Sequence, residues 1–419
     1  MEILSEYSTI LITITVLVGL FQAWNIGAND VANAMGTSVG SHAISFKQAI
    51  IIAGIFEFLG VVIAGGSVTS TIKKGIVSPT LFEATPELFV YGMIASLLAA
   101  SIWLFIATLS GQPVSTTHSI VGAIMGFSIA SVGWGSISWG QVSMIVTSWV
   151  ISPLTGAIFA FIVFAYIRKY VLNSETPIES LKKHTPYILF FSSFVLTILL
   201  FKKGLKNLNL DNSIFMVMLY SIIVAIIIFI VSKHFLSKIK EDENTEYYLK
   251  IKKVEKIFGY FQIATAAFVA FAHGSNDVAN AVGPMAAVLE TIKGGVSAKA
   301  PLPYWVLLSG GVFIVIGLAT YGYKVIKTVG TKITEITPTR GFAAEIGAAA
   351  TIIIASSLGL PISTTHVLIG AVIGIGFARG VSALNLSVLK KIVASWVITL
   401  PASAIISAIV FHILKASFS

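Results

Sequence analysis

One ten-residue segment that could bind ions occurs twice in the chain. Residues 27–36 read Gly-Ala-Asn-Asp-Val-Ala-Asn-Ala-Met-Gly, and residues 274–283 read Gly-Ser-Asn-Asp-Val-Ala-Asn-Ala-Val-Gly. Each copy lies in an apolar stretch long enough to cross a bilayer, where an ionisable side chain indicates a functional site. Two such segments at matching positions in two halves of a chain are typical of a transporter binding site.

The polar side chains of this segment offer hard oxygen ligands. On a helix, Asn29 and Asn33 are four residues apart and share a face, with Asp30 beside them. The equivalent side chains of the second copy are Asn276, Asp277 and Asn280. The small residues permit the helix to unwind, which would free the backbone carbonyl oxygens of Gly27 and Gly274. Together with the carboxylate and amide oxygens, these carbonyls make a site that suits Na⁺. Alternatively, the carboxylate could bind a proton. The alternative is a set of hydrogen bonds between helices that pack through small residues.

A second repeated motif could bind an oxyanion. Residues 112–118 read Gln-Pro-Val-Ser-Thr-Thr-His, and residues 360–366 read Leu-Pro-Ile-Ser-Thr-Thr-His. Proline favours the first turn of a helix, and serine or threonine can cap it. Because a helix N-terminus attracts phosphate-like anions, two facing copies predict a cradle for an oxyanion. The candidate phosphate-binding residues are Ser115, Thr116, Thr117, Ser363, Thr364, Thr365, Asn33 and Asn280. The alternative is a proline-kinked helix whose hydroxyls bond the preceding turn.

The charges near these motifs predict coupling between an anion and a cation. Neither motif contains Lys or Arg, and the carboxylates of Asp30 and Asp277 would repel a phosphate group. Cations that bridge the carboxylates and the oxyanion would supply the missing positive charge and would cancel the repulsion. Two more acids in apolar surroundings, Glu57 and Glu345, are candidates for coupling or gating, or for pairing with a donor on a neighbouring helix.

The remaining titratable residues give weaker signals. His118 and His366 could be anion contacts or proton relays, or structural histidines. The other five histidines share no spacing, which argues against a metal site. We interpret Lys73 and Lys74 as solvated loop residues.

The composition is that of an integral membrane protein. Of the 419 residues, 56% are apolar and 11% charged, against about 25% charged in soluble domains. A mean hydropathy of +0.92 excludes a soluble globular protein. The net charge of +9 arises from Lys and Arg in short connections, which favours a topology signal over a nucleic-acid-binding surface. There is no cysteine, and the N-terminus lacks the basic region of a cleavable signal peptide, so we expect the first apolar run to be retained.

The apolar runs predict an all-α fold with about twelve transmembrane segments. Their approximate bounds are 8–26, 48–66, 88–109, 114–132, 141–167, 186–201, 213–235, 260–283, 304–326, 342–358, 361–378 and 389–414. Gly and Pro residues interrupt the segments around 111–118 and 359–366, which could therefore be re-entrant hairpins rather than full spans. If all twelve segments span the membrane, successive connections lie on opposite sides. The connections on one side, with the nearby segment ends, hold 19 basic residues, and those on the other side, with both termini, hold 8. The positive-inside rule then places the loop 236–257 in the cytoplasm and both termini outside.

The repeat extends over both halves of the chain. The two motifs and a later Ser-Trp-Val-Ile recur at offsets of 247, 248 and 247 residues. Seven segments separate the starts of the copies; because seven is odd, the copies enter the membrane from opposite sides, as inverted-topology repeats do. The predicted organisation is a first repeat at 1–167, connecting segments with two helices and a loop at 168–256, and a second repeat at 257–419.

The paired GANDVANA/GSNDVANA and Pro-x-Ser-Thr-Thr-His motifs resemble the signature of the inorganic phosphate transporter (PiT) family. The resemblance covers essentially the whole chain apart from 168–256. It implies a cation-coupled phosphate symporter in the cell membrane, a homodimer, and elevator-like or rocking alternation, with no other cofactor. By the same resemblance the essential acids are Asp30, Asp277, Glu57 and Glu345, and the phosphate contacts are Ser115, Thr116, Ser363 and Thr364.

Three functional hypotheses follow. We favour Na⁺ as the coupling ion because hydroxyl, amide and carboxylate oxygens suit it; the sodium-site candidates are Asn29, Asp30, Asn276, Asp277, Gly27 and Gly274. The second hypothesis is a proton-coupled permease for phosphate, a metal–phosphate complex or another oxyanion. The third is an intramembrane aspartyl hydrolase, which would need two carboxylates sharing a proton but neither the second motif nor a duplicated half.

Overall fold

The fold is helical throughout the part of the chain that can be described. A computed structural model describes residues 2–207, 213–240, 245–296, 302–331, 333–380 and 383–418. In chain order the helices are α1 (Glu2–Glu6), α2 (Ser8–Gly40), α3 (Phe46–Ala64), α4 (Gly66–Lys74), α5 (Pro86–Leu109), α6 (Thr116–Val132), α7 (Trp139–Ile167), α8 (Pro177–Asn207), α9 (Ile214–Ser237), α10 (Tyr247–Asp277), α11 (Ala279–Gly294), α12 (Tyr304–Tyr321), α13 (Tyr323–Thr331), α14 (Pro338–Ser357), α15 (Thr364–Arg379) and α16 (Leu386–Phe418). The sequence prediction of an all-helical protein is confirmed.

The long helices match the thickness of a bilayer. Among the described residues, eight helical stretches are long and apolar enough to cross it, and α6 and α15 are shorter apolar helices. At 1.5 Å per residue, the 16 residues of α15 span about 24 Å, less than the roughly 30 Å hydrocarbon core. The chain is therefore a multi-pass membrane protein with long helices and shorter ones between them.

Several predicted segment bounds were wrong. We placed a connection at 27–47, but α2 continues to Gly40. Hydropathy falls there because the helix carries Asn and Asp, yet these side chains are buried among other helices, so the helix does not end. The helix α10 begins at Tyr247, so the proposed boundary between 256 and 257 lies within a helix, and the division into two repeats stays a prediction. The predicted span 304–326 is interrupted at Gly322, where α12 gives way to α13.

Glycines bring the central helices into backbone contact. A Cβ on Gly27 of α2 would lie 1.9 Å from the carbonyl oxygen of Ile314 on α12. In the same way, a Cβ on Gly274 of α10 would lie 2.2 Å from the carbonyl oxygen of Glu57 on α3. The first polar segment is therefore packed directly against α12, and the second against α3.

The two short helices that follow the Pro-x-Ser-Thr-Thr-His motifs pack across the repeat. On α6, a Cβ at Gly126 would lie 2.1 Å from the Ala404 carbonyl oxygen of α16. On α15, a Cβ at Gly374 would lie 2.2 Å from the Ala157 carbonyl oxygen of α7. Each short helix is thus held against a long helix from the other half of the chain.

Candidate functional site

Both polar segments are helical. The first copy lies within the continuous helix α2, and the second is interrupted only at Val278, whose φ of −55° and ψ of −30° remain helical. The unwinding that we expected from the small residues is therefore not seen, because Gly27 and Gly274 are instead used for close helix contact. That their carbonyl oxygens bind sodium stays a prediction.

The first asparagine of each segment holds the loop before a Ser-Thr-Thr motif. The Nδ2 of Asn29 donates to the Thr108 hydroxyl (2.9 Å) and the Gln112 carbonyl (3.1 Å), and its Oδ1 accepts from the Val114 N–H (3.2 Å). In the second half, Asn276 donates to the Ser356 hydroxyl at 2.8 Å and the Leu360 carbonyl at 3.3 Å. These amides therefore position the two loops as equivalent elements.

The second asparagine of each segment reaches the opposite half. Asn33 Nδ2 donates to Asp30 Oδ1 at 3.0 Å and to the hydroxyl of Thr365 at 2.8 Å. Asn280 Nδ2 donates to the hydroxyls of Thr116 (3.3 Å) and Thr117 (3.2 Å). The structure thus brings residues of both predicted motifs from both halves into one place.

The acids converge around a histidine. His273 Nε2 lies 2.8 Å from Asp277 Oδ2 and 3.7 Å from Asp30 Oδ2, while its Nδ1 lies 3.1 Å from Glu57 Oε1. All four side chains are completely buried. Asp30, His273 and Asp277 each offer one ligand atom within 4.8 Å of the others, a spacing that could hold a cation. The interior therefore contains three carboxyl groups beside one imidazole, with the hydroxyl of Thr364 donating to Asp277 Oδ2 at 2.7 Å.

The polar pair of Glu57 and His273 has an apolar counterpart. The offset of 247 residues pairs His273 with Ile26, and the glycine contacts above pair Glu57 with Ile314. Ile26 and Ile314 are both buried in the same apolar cluster. The two halves are therefore chemically different at this position, although their backbones pack alike.

Two helix N-termini face one another at the Ser-Thr-Thr motifs. Ser115 caps α6 by accepting from the His118 N–H at 3.1 Å, and Ser363 caps α15 in the same way at 3.2 Å. The capping that we predicted is confirmed, but the prolines lie before the caps rather than in the first turn. The hydroxyl of Thr117 donates to the Ile362 carbonyl at 2.9 Å, which joins α6 to the other half's loop.

The two motif histidines lie in a cluster of four aromatic rings. The rings of His118 and His366 lie 4.4 Å apart between centroids. His118 also packs on Trp149 at 3.7 Å, and His366 on Trp396 at 3.6 Å. This four-ring cluster joins the two halves, as structural histidines would.

Glu345 is surrounded by donors. Its Oε1 accepts from Thr37 (2.7 Å), Ser38 (2.6 Å) and Gln262 (3.0 Å), and its Oε2 accepts from Thr265 (2.5 Å). Seven residues separate Thr37 from Asp30 on α2, which is about 10.5 Å along the helix. Glu345 therefore ties α2, α10 and α14 together outside the acid–histidine cluster; its coupling role stays a prediction.

Sequence reasoning missed His273. We set it aside because it shares no spacing with the other histidines. The available signal was its spacing from Asp277, since residues four apart lie on the same face of a helix.

Comparison with known proteins places these features in a family context. The phosphate transporter family profile matches residues 26–407. A "Putative phosphate permease" of Haemophilus influenzae is 46% identical over 422 residues, all of both chains. "Inorganic phosphate transporter 2-1, chloroplastic" of Arabidopsis thaliana is 41% identical over 414 residues, which cover 94% of this chain and 70% of that one.

A solved structure has the same fold. The protein described as "The sodium-dependent phosphate transporter" superimposes with a TM-score of 0.88 at 42% sequence identity. The match covers 97% of this chain and 99% of that one. The helical arrangement described above is therefore shared along almost the full length.

Proposed function

This chain belongs to the phosphate transporter family, and from that premise we propose that it is a sodium-coupled phosphate symporter. It is a phosphate permease of the membrane, a transporter and not an enzyme. We propose that transport proceeds by alternating access around a site at the interface of the two halves. The sodium dependence named for the similar solved structure supports the choice of ion.

One observation carries the proposal. Asp30 and Asp277, from different halves, lie beside one imidazole, and the capped ends of α6 and α15 lie next to them. No Lys or Arg occurs in either motif. Helix N-termini favour an oxyanion, and carboxylates favour a cation, so a pair of co-transported ions of opposite charge fits this arrangement.

We assign the residues as follows. Phosphate would be bound by Ser115, Thr116, Thr117, Ser363, Thr364, Thr365, Asn33 and Asn280. Sodium would be bound by Asn29, Asp30, Asn276, Asp277, Gly27 and Gly274. Glu57 and Glu345 would serve coupling or gating. His273 joins this set because it contacts Asp277 and Glu57 directly.

The arrangement of the repeats, the membrane topology and the oligomeric state are also proposals. We propose two inverted repeats at 1–167 and 257–419, joined by 168–256, which together make about twelve membrane segments. The termini would lie outside a cell membrane and the loop 236–257 in the cytoplasm, although 241–244 lie outside the described residues. A homodimer is also proposed from the family.

A proton-coupled permease is the second candidate. The observation that favours it is His273, an imidazole in contact with the carboxyl groups of Glu57 and Asp277. Histidine is the side chain best suited to exchange a proton near neutral pH. A proton carried on this cluster would replace the sodium ion as the coupling charge.

Phosphate uptake into proteoliposomes tests both candidates. We expect an inward Na⁺ gradient to drive uptake when the pH is equal on the two sides, because Na⁺ neutralises the carboxylates. Choline replaces Na⁺ in the control. Uptake that follows only an inward proton gradient would reject sodium coupling and support the second candidate, and no phosphate uptake under either gradient would reject both.

Asn29→Ala should raise the phosphate concentration that gives half-maximal uptake by about 10-fold. The substitution removes three hydrogen bonds that position the loop before Ser115, each contributing roughly 0.5–1.5 kcal/mol. Asn25→Ala is the matched control, since Asn25 is also buried on α2 but, among the described residues, donates only to the Phe21 carbonyl of its own helix. Equal concentration dependence in the two variants would contradict the positioning role.

A further inference from the structure

A buried ion pair joins the two halves of the chain away from the proposed site. Lys73 of α4 pairs with Glu290 of α11, and their side chains are only 11% and 5% exposed. The second carboxylate oxygen of Glu290 is buried without a hydrogen-bond partner among the described residues. Our interpretation of Lys73 as a solvated loop residue was therefore wrong. Since a buried ion pair adds little stability relative to apolar residues, its presence favours a functional explanation.

The pair lies at the far end of a helix that begins in the site. Glu290 is ten residues after Asn280 on α11, about 15 Å along the helix axis. Between these two positions α4 packs directly on α11, because a Cβ on Gly283 would lie 2.9 Å from Ile72 Cγ2. The helix α4 therefore lies along the part of α11 that runs from the site past the first half of α2, where a Cβ on Gly19 would lie 2.2 Å from Met285 Cε.

The same short helix also contacts the loop before the second Ser-Thr-Thr motif. The hydroxyl of Thr71 donates to the carbonyl of Gly359 at 2.8 Å. Four residues after Gly359, Ser363 caps α15. Thus α4 contacts both α11 and the loop at Gly359, which are the helix and the loop that the second half contributes to the site.

The interruption between the helices α3 and α4 would let α4 move as a unit. Gly65 lies between α3 and α4, and Gly66 is the first residue of α4; among the described residues, a Cβ on Gly66 would meet no atom within 4 Å. Glycine allows larger backbone changes than other residues. Movement of α4 away from α11 about this interruption requires the ion pair to separate.

The other half has a corresponding short helix, which contacts its neighbour through backbone atoms. There α13 follows the break at Gly322, and the Thr328 hydroxyl donates to the Gly111 carbonyl at 2.9 Å. Near the end of α13, however, Gly330 meets Gly40 of α2, where a Cβ on Gly40 would lie 2.1 Å from the Gly330 carbonyl oxygen. One short helix is therefore held by charges and the other by backbone contact.

We propose that Lys73 and Glu290 form an ionic latch that holds α4 over the transport site and opens when ions enter from that side. The inference rests on the proposed function, because it requires an ion to pass between α4 and α11. Lys73 and Glu290 are positioning residues, since they act through α4. Separation leaves an ammonium and a carboxylate free to meet a phosphate and a cation, respectively.

Thiol labelling measures the latch without measuring transport. The chain has no cysteine, so Ile72→Cys introduces a single thiol on the face of α4 that packs against α11. In this background we expect Glu290→Gln to increase the rate of labelling by a membrane-impermeant reagent about 10-fold or more. An unpaired buried ammonium destabilises the closed position by more than the ~1.4 kcal/mol that a factor of ten represents.

A charge exchange separates the ion pair from simple packing. Lys73→Glu combined with Glu290→Lys should return labelling to the slow rate of the parent, whereas Lys73→Glu alone should be fast. Glu179→Gln, which breaks the exposed pair with Lys182 on α8, is the matched control and should leave the rate unchanged.

Two results would overturn the latch. One is parent-like labelling of Glu290→Gln, and the other is fast labelling of the charge-exchanged variant with an elution profile that matches the folded parent. The proposed function fails separately: if the parent protein takes up no phosphate in proteoliposomes while the labelling pattern holds, the ion pair still holds α4 closed, but the symporter assignment falls, and with it the opening of α4 by transported ions.

Discussion

Asp30→Asn should lower sodium-driven phosphate uptake at least about 100-fold while the protein still folds. Asparagine keeps the shape of the side chain but removes its charge. Among the described residues the Oδ2 of Asp30 has no hydrogen-bond partner and lies 3.7 Å from His273 Nε2, so the substitution removes a long ionic contact but no hydrogen bond at that oxygen. Removing one partner of a buried charge pair costs about 3–5 kcal/mol, and we expect that loss to fall on cation binding. The measurement is initial uptake in proteoliposomes, with folding checked by thermal unfolding in detergent.

Asp277→Asn should abolish uptake to the same extent but with a different effect on stability. Asp277 accepts from Thr364 and lies 2.8 Å from His273 Nε2, so its loss also weakens charge-assisted contacts in the folded state. We therefore expect a lower midpoint of thermal unfolding than for Asp30→Asn. Glu179→Gln supplies the same chemical change on an exposed surface and should retain full uptake. Parent-like uptake in either aspartate variant would refute the assigned roles.

Gly27→Ala is expected to destabilise the protein and to reduce uptake severely. The added Cβ would lie 1.9 Å from the Ile314 carbonyl oxygen and 2.9 Å from the Leu318 nitrogen, both of which are backbone atoms of α12. Backbone cannot move aside as a flexible side chain can, so we expect a cost at or above the upper end of the 1–3 kcal/mol typical of overpacking. The shift would also displace Asp30, which follows Gly27 by one turn. Thermal unfolding in detergent and phosphate uptake measure the two effects.

Gly140→Ala is the matched control for this prediction. Gly140 is also helical, in α7, but a Cβ there would meet no atom of the described residues within 4 Å. Alanine is favoured over glycine in helices by about 1 kcal/mol, so this variant should be as stable as the parent or slightly more so. If Gly27→Ala matched Gly140→Ala in both measurements, close packing of α2 on α12 would not be needed to hold the site.

Local chemistry explains what could be read from the chain. The caps at Ser115 and Ser363 depend on a side chain and the first turn that follows it, so the motif was sufficient to predict them. The repeat also indicated that residues of both halves share one site. By contrast, the end of α2 was misplaced by a hydropathy argument, because hydropathy does not register that Asn29 and Asn33 have partners on other helices.

The sequence by itself determined the family, the membrane setting and the types of side chain that could bind an anion and a cation. Only the tertiary structure decided which of them meet. His273 meets Glu57 because α3 packs on α10 through Gly274, and Lys73 meets Glu290 because α4 packs on α11. The physical reason is that capping and helix periodicity act within a few residues, whereas these contacts join residues more than two hundred positions apart and depend on how helices pack.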